Sequence, residues 1–117
     1  MKLAQKRCIP CEGGIPPFGK KQIAKYLPQL PKGWSVIDDK KLRKRFQFKN
    51  FVDTMGFVNK IALIAQAEDH HPDMQISYSK VAVELWTHAN DGLTENDFIL
   101  AAKIDALPKE LKTSDKR

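Results

Sequence analysis

Residues 50–72 read Asn50-Phe51-Val52-Asp53-Thr54-Met55-Gly56-Phe57-Val58-Asn59-Lys60-Ile61-Ala62-Leu63-Ile64-Ala65-Gln66-Ala67-Glu68-Asp69-His70-His71-Pro72. Asn50 is a good helix N-cap, and Asp53 puts a carboxylate in the first turn, where the helix dipole favours it. Phe51, Met55, Val58, Ala62 and Ala65 then recur at steps of four and three, with Ile61 and Ile64 widening the stripe. This is the best helix in the chain, and it runs to about Glu68. Pro72 disfavours helical geometry at His71, so the helix must stop there.

Paired strands stand on either side of that helix. On its C-terminal side Met74, Ile76 and Tyr78 alternate with polar residues. Val81, Val83, Leu85 and Thr87 alternate with Ala82, Glu84, Trp86 and His88. These are two strands, joined at the Ser79-Lys80 step by a tight hairpin. On its N-terminal side 33–37 reads as a strand, Asp38-Asp39 as a turn and 42–49 as a second strand. A short helix over 20–29, with Ile23, Tyr26 and Leu27 on one stripe, precedes them and ends at Pro28 and Pro31. Asn90-Asp91-Gly92 is a turn. Thr94 caps a last helix, with Asp97 at its third position and Leu100, Ile104 and Leu107 as its stripe, until Pro108. The order α-β-β-α-β-β-α predicts an α+β fold, a four-stranded antiparallel sheet with three helices packed on one face. Residues 1–19 are expected to form an irregular arm, 20–110 the domain and 111–117 a polar tail.

The 117 residues suffice for one domain with an ordinary core. The longest apolar runs, 61–65 and 98–102, are far too short to cross a bilayer, and Met1 to Arg7 is basic rather than signal-like. The expectation is a cytoplasmic protein, with the nucleus left open by the basic run Lys40-Lys41-Leu42-Arg43-Lys44-Arg45. That run accounts for part of the net charge of +6. It reads first as a solvated strand face, with Leu42, Phe46 and Phe48 inward and Lys41, Arg43, Arg45, Gln47 and Lys49 outward. A nuclear address or a phosphate-binding strip are the alternatives, so nucleic acid is an unlikely partner and a membrane is none. Cys8-Ile9-Pro10-Cys11 opens a Pro/Gly-rich loop; it reads as plain reduced thiols, with half a zinc site or a redox pair as alternatives.

All three histidines lie between residues 70 and 88. Histidine exchanges a proton near neutrality, and His70 and His71 fall at a helix C-terminus whose partial negative charge favours imidazolium. His88 falls at a strand end, on the same side as Trp86. The helix end and the strand end can meet at one rim of the sheet, offering imidazoles and an indole to a flat heteroaromatic ligand. The plain alternative is that His70 and His71 cap the helix and His88 bonds a loop. A metal site is disfavoured, since adjacent residues point apart and His70 and His71 then rarely share one ion. No nucleophile motif surrounds a serine or either cysteine.

His70-His71-Pro72-Asp73, Tyr78, the alternation from Val81 to Thr87-His88, then Gly92-Leu93-Thr94, Asp97, Ala101 and Ile104-Asp105, closely resemble the pterin-4a-carbinolamine dehydratase family (4a-hydroxytetrahydrobiopterin dehydratase). The likeness covers about residues 20–107. It implies loss of water from 4a-hydroxytetrahydrobiopterin to give the quinonoid dihydropterin, recycling the pterin of aromatic amino acid hydroxylases with no metal or cofactor. It implies catalytic His70, His71 and His88, with His70 and His88 as the acid–base pair and His71 mainly binding. Asp69, Trp86 and Thr87 would line the substrate pocket with the three histidines. Asp97 matches the family pattern, and its capping position also explains it structurally. The family's usual acidic residue four positions before the first histidine is Gln66 in this chain. The resemblance further implies a homodimer or homotetramer. It leaves room for a transcription-factor partner, a coactivator role that the last helix would carry.

Overall fold

The computed structural model describes residues 2–10 and 15–109; Cys11 and the tail 111–117 lie outside the described residues. Four strands, β1 (Ser35–Ile37), β2 (Lys41–Gln47), β3 (Asp73–Ser77) and β4 (Lys80–Leu85), make one antiparallel sheet in the order β1-β2-β4-β3. Helices α1 (Lys20–Tyr26), α2 (Phe51–Glu68) and α3 (Glu95–Asp105) complete the expected element order. Each pair of strands is a hairpin, and the central β2–β4 pairing, Leu42 opposite Leu85 through Gln47 opposite Lys80, joins the two into one sheet.

One face of the sheet is buried. Leu42 and Phe46 of β2, with Val81, Val83 and Leu85 of β4, are inside, packed in one cluster with Phe57 and Ile61 of α2 and Phe98, Ile99, Leu100 and Ile104 of α3. Each such side chain contributes roughly 1.5–3 kcal/mol of transfer free energy. Lys41, Arg43 and Arg45 of the basic run form the outer face of β2, where Lys41 and Arg43 lie 3.8 and 3.7 Å from Glu84. The inward position between Leu42 and Phe46 is Lys44, a charge in the sheet's inner row that the alternation reading left out. Its ammonium meets Asp105 at 2.6 Å and the Lys32 carbonyl at 2.8 Å.

Three expectations are corrected. The buried face of α2 is turned from the predicted stripe: Thr54, Phe57, Val58, Ile61 and Ala65 face inward, whereas Phe51 is 49% exposed and Ala62 is exposed. The Phe57 ring sets the rotation, lying 4.8 Å from Phe46 and 5.1 Å from Phe48. Thr54 can be buried because its hydroxyl donates to the Asn50 carbonyl at 2.9 Å. Second, the turn of the second hairpin is Tyr78-Ser79, one residue earlier than read, with Tyr78 at φ 50° and Ser77 paired with Lys80. The strand that follows stops at Leu85, and His88 opens a 3-10 turn (His88–Asn90). Third, α3 is buried on more than the one stripe expected, from Asn96 to Ala102 and at Ile104. Phe51, Val52 and Leu63 of α2, by contrast, stand exposed.

Candidate active site

The end of α2 turns sharply. Asp69 adopts the left-handed conformation (φ 53°, ψ 41°), its N–H reaches the carbonyls of Ala65 and Gln66, and the His70 N–H donates to the Ala65 carbonyl at 3.2 Å. This termination splays the adjacent histidines. His70 turns inward, with 11% of its side chain exposed. His71 stays at the surface, where its Nε2 lies 3.3 Å from the Gln66 side-chain oxygen. Gln66 thus supplies an oxygen to the outer imidazole.

His70 Nε2 lies 2.6 Å from Oδ1 of Asp97, which is fully buried. The other oxygen, Oδ2, accepts from the Thr87 hydroxyl at 2.7 Å and the Thr94 N–H at 2.9 Å. A carboxylate with three donors is rigid, and the Nε2–H of His70 donates to it. Nδ1 of the neutral ring is then left as an acceptor. A protonated ring would find its countercharge already in place. Asp97 was legible as a cap; its hold on His70 follows only from the packing of the end of α2 against the start of α3. Thr87 is buried, its hydroxyl spent on Asp97.

His88 stacks on Trp86, ring centroids 4.0 Å apart and 26° between planes. The indole N–H donates to Asp73 at 3.3 Å, and the Lys41 ammonium lies over the ring, 5.1 Å from its centroid. A side chain and the one two residues on share a face, as read; the bonds to Asp73 and Lys41 link β3 and β2 to the site and had no sequence signal.

The three imidazoles and the Trp86 indole border one cleft of about 700 Å³, walled by residues 67–73, 86–89, 8–10 and 96. It therefore brings together Asp69, His70, His71, Trp86, Thr87 and His88, all the expected site residues. Tyr78 is at the hairpin tip, 68% exposed, and does not border the cleft. Among the described residues no three His, Cys, Asp or Glu side chains are grouped as metal ligands. Glu68, at the cleft edge, feels two opposed influences. Burial pushes its carboxyl up, but the Cys8 N–H at 2.7 Å and the Lys103 ammonium outweigh it and hold it below its ordinary value. Burial likewise pushes the Cys8 thiol up to about 12, aided by Glu68.

A family profile described as pterin 4 alpha carbinolamine dehydratase matches residues 16–107. A Rickettsia canadensis protein, named provisionally as a pterin-4-alpha-carbinolamine dehydratase, is 54% identical over 104 residues, spanning 89% of this chain and 95% of that one. A Nitrosomonas eutropha protein of the same provisional name is 50% identical over 105 residues, 90% and 92% of the two chains. A crystal structure of a transcriptional coactivator/pterin dehydratase from Brucella melitensis superposes with a TM-score of 0.72 at 34% identity, covering 77% of this chain and 96% of that one. A pterin dehydratase-like protein identified as a RuBisCO assembly factor in the alpha-carboxysome superposes with a TM-score of 0.56 at 25% identity, covering 63% and 87%.

Proposed function

Because the chain belongs to the pterin 4 alpha carbinolamine dehydratase family, we propose that it removes water from 4a-hydroxytetrahydrobiopterin by histidine acid–base catalysis. The product is the quinonoid dihydropterin, which returns to the cycle that serves aromatic amino acid hydroxylases. The observation that carries the mechanism is His70, held 2.6 Å from the buried Asp97 and bordering the same cleft as His71 and His88.

The reaction breaks the C4a–O bond, forms a C4a–N5 double bond and releases the N5 proton. The departing hydroxyl needs a proton to leave as water, and N5 needs a base. His70, its Nε2–H held by Asp97, presents Nδ1 as that base, and the buried carboxylate stabilises the imidazolium that forms. His88, held face to face on Trp86, protonates the hydroxyl. His71 at the rim binds the heterocycle, as do Asp69, Trp86 and the backbone at Thr87. The work is proton transfer alone, with no electron change to balance.

The test is stopped-flow measurement of water loss from synthetic 4a-hydroxytetrahydropterin, with and without the protein. A saturable acceleration is expected. A rate unchanged over buffer, or activity removed by a chelator and restored by zinc, sinks the proposal. The same proposal includes a cytoplasmic, optionally nuclear, location and a homodimer or homotetramer, which sedimentation equilibrium decides.

A second reading, a protein-interaction module, is favoured by the names of the two structural neighbours, a coactivator/dehydratase and an assembly factor. A chain that folds and binds a transcription factor yet leaves the dehydration rate unchanged supports it over the enzyme.

A further inference from the structure

We propose that the segment Cys8–Pro10 is a working wall of the pterin site, one that sets substrate affinity without taking part in proton transfer. The inference rests on the pterin reading above. Residues 8–10 border the same cleft as His70, His71 and His88, although they lie before the stretch matched by the family profile.

The segment is built into the molecule. Leu3, in a 3-10 turn (Leu3–Gln5), is buried in the main core. The Lys103 ammonium donates to the Ala4 carbonyl at 3.0 Å, and Lys6 meets Glu95 at 2.6 Å. The Cys8 N–H donates to Glu68 at 2.7 Å. The Asn96 side chain then takes both polar groups of the next residue: its oxygen accepts the Ile9 N–H at 3.0 Å and its amide donates to the Ile9 carbonyl at 2.6 Å. One amide reproduces a rung of a β-ladder, which fixes the register of the segment as well as its position. Asn96 is 4% exposed, so water competes poorly for these bonds.

The two clamps sit beside the reacting machinery and are separate from it. Glu68 is the last residue of α2, two before His70, and Asn96 is the neighbour of Asp97. Asn96 and Glu68 are therefore positioning residues: they hold a wall at a set distance from the imidazoles. What they hold is apolar. Ile9 is 68% exposed and Pro10 is exposed, while most of the opposite walls are imidazole, carboxylate and indole. A flat heterocycle lying on the histidines would cover an isoleucine and a proline held by this backbone. Such contact does not change as the C4a–O bond breaks, so it acts equally on ground and transition states and is read in KM.

The test compares wild type with Ile9→Ser, Ile9→Leu and Asn96→Ala. The measurements are kcat and KM for dehydration, Kd for oxidised biopterin by fluorescence titration, and thermal melting. Ile9→Ser is expected to raise KM and Kd together by about 5–10-fold, with kcat within about twofold. Ile9→Leu should restore both, and Asn96→Ala should move them in the same direction as Ile9→Ser. Ile9 is exposed, so its variants fold even if Asn96→Ala does not. Unchanged KM and Kd in Ile9→Ser, or a fall in kcat at constant KM, overturns the inference while leaving the dehydratase reading intact. A wild-type protein that shows no saturable pterin binding overturns both.

Discussion

Two buried or nearly buried carboxylates of α3 stand eight residues apart, and their company differs. Asp97, in the first turn, gathers a threonine hydroxyl, a backbone N–H and the His70 imidazole beside the cleft. Asp105, in the last turn, receives the Trp34 indole N–H at 2.7 Å and the Lys44 ammonium at 2.6 Å, under an aromatic cover in which that ammonium lies 5.0 Å from the Phe46 ring centroid. Both satisfy the rule that a buried charge must be paired and hydrogen-bonded. They part over the cation. Lysine stays charged at neutral pH, so the Asp105 pair is a fixed brace. An imidazole can gain or lose its proton, so the Asp97 pair can take part in chemistry.

The sharpest way to break this contrast is to remove the imidazoles. His70→Ala and His88→Ala should each lower kcat on the order of 10²-fold, less than additively in the double variant, whereas His71→Ala should mainly raise KM. Near-normal kcat in both single variants would refute the acid–base assignment even if the protein is a dehydratase. Next comes Asp105→Asn. It leaves the Lys44 ammonium, 15% exposed, without its carboxylate and should destabilise the fold by about 2–3 kcal/mol in denaturant melts, somewhat below a fully buried pair. Turnover per folded molecule should hold; a large fall in kcat would remove the distinction between the two carboxylates.

Asp97→Asn probes the other end. The amide can still cap α3 but supplies no charge to His70, so kcat should fall about tenfold with a smaller change in melting temperature than in Asp105→Asn. A lowered melting temperature with unchanged kcat would reduce Asp97 to a helix cap. Acid sharpens the comparison further. Burial pushes the Asp105 carboxyl up, but Lys44 and Trp34 outweigh it and hold it below its ordinary value of 3.8. A group depressed on folding stabilises the fold fully above its unfolded value and loses that contribution as pH falls through the folded one. Wild type should therefore lose stability as pH drops from 3.8, and Asp105→Asn should show a shallower slope there. Equal slopes would mean that the brace is not what acid breaks. The smallest effect is expected at Cys8. With its thiol pushed up to about 12, it should react slowly with thiol reagents at neutral pH, and Cys8→Ser should keep turnover within about twofold, since the backbone N–H makes the bond to Glu68. Rapid labelling of Cys8 in the native state would show that the arm does not stay docked.

Much of this was readable in the residues. Asn50, the hydrophobic repeat and Pro72 mark α2 to within a residue, because capping and proline geometry act locally. The alternation in β2 and β4 marks the inward face, apart from Lys44. The six expected site residues do share one cleft, since the helix end and the strand end that carry them are adjacent across the sheet. The rotation of α2 was not readable, because it follows from aromatic contacts of Phe57 with Phe46 and Phe48, outside the helix. Nor was the burial of α3 on nearly all sides, which depends on the sheet, α2 and the Leu3 turn meeting around it.

By itself, then, the sequence determined the elements, their order, the inward faces of the strands and the stretch that holds the imidazoles. All of these rest on interactions between residues a few positions apart. Only the tertiary structure decided that Asp97 grips His70, that Lys44 points inward to Asp105, and that Ile9 is clamped by Asn96 at the rim of the cleft. Those pairs are separated by 27, 61 and 87 residues. Periodicity and spacing carry no information over such separations; the pairings exist because burial forces each polar group to find whatever partner the packed elements bring within reach.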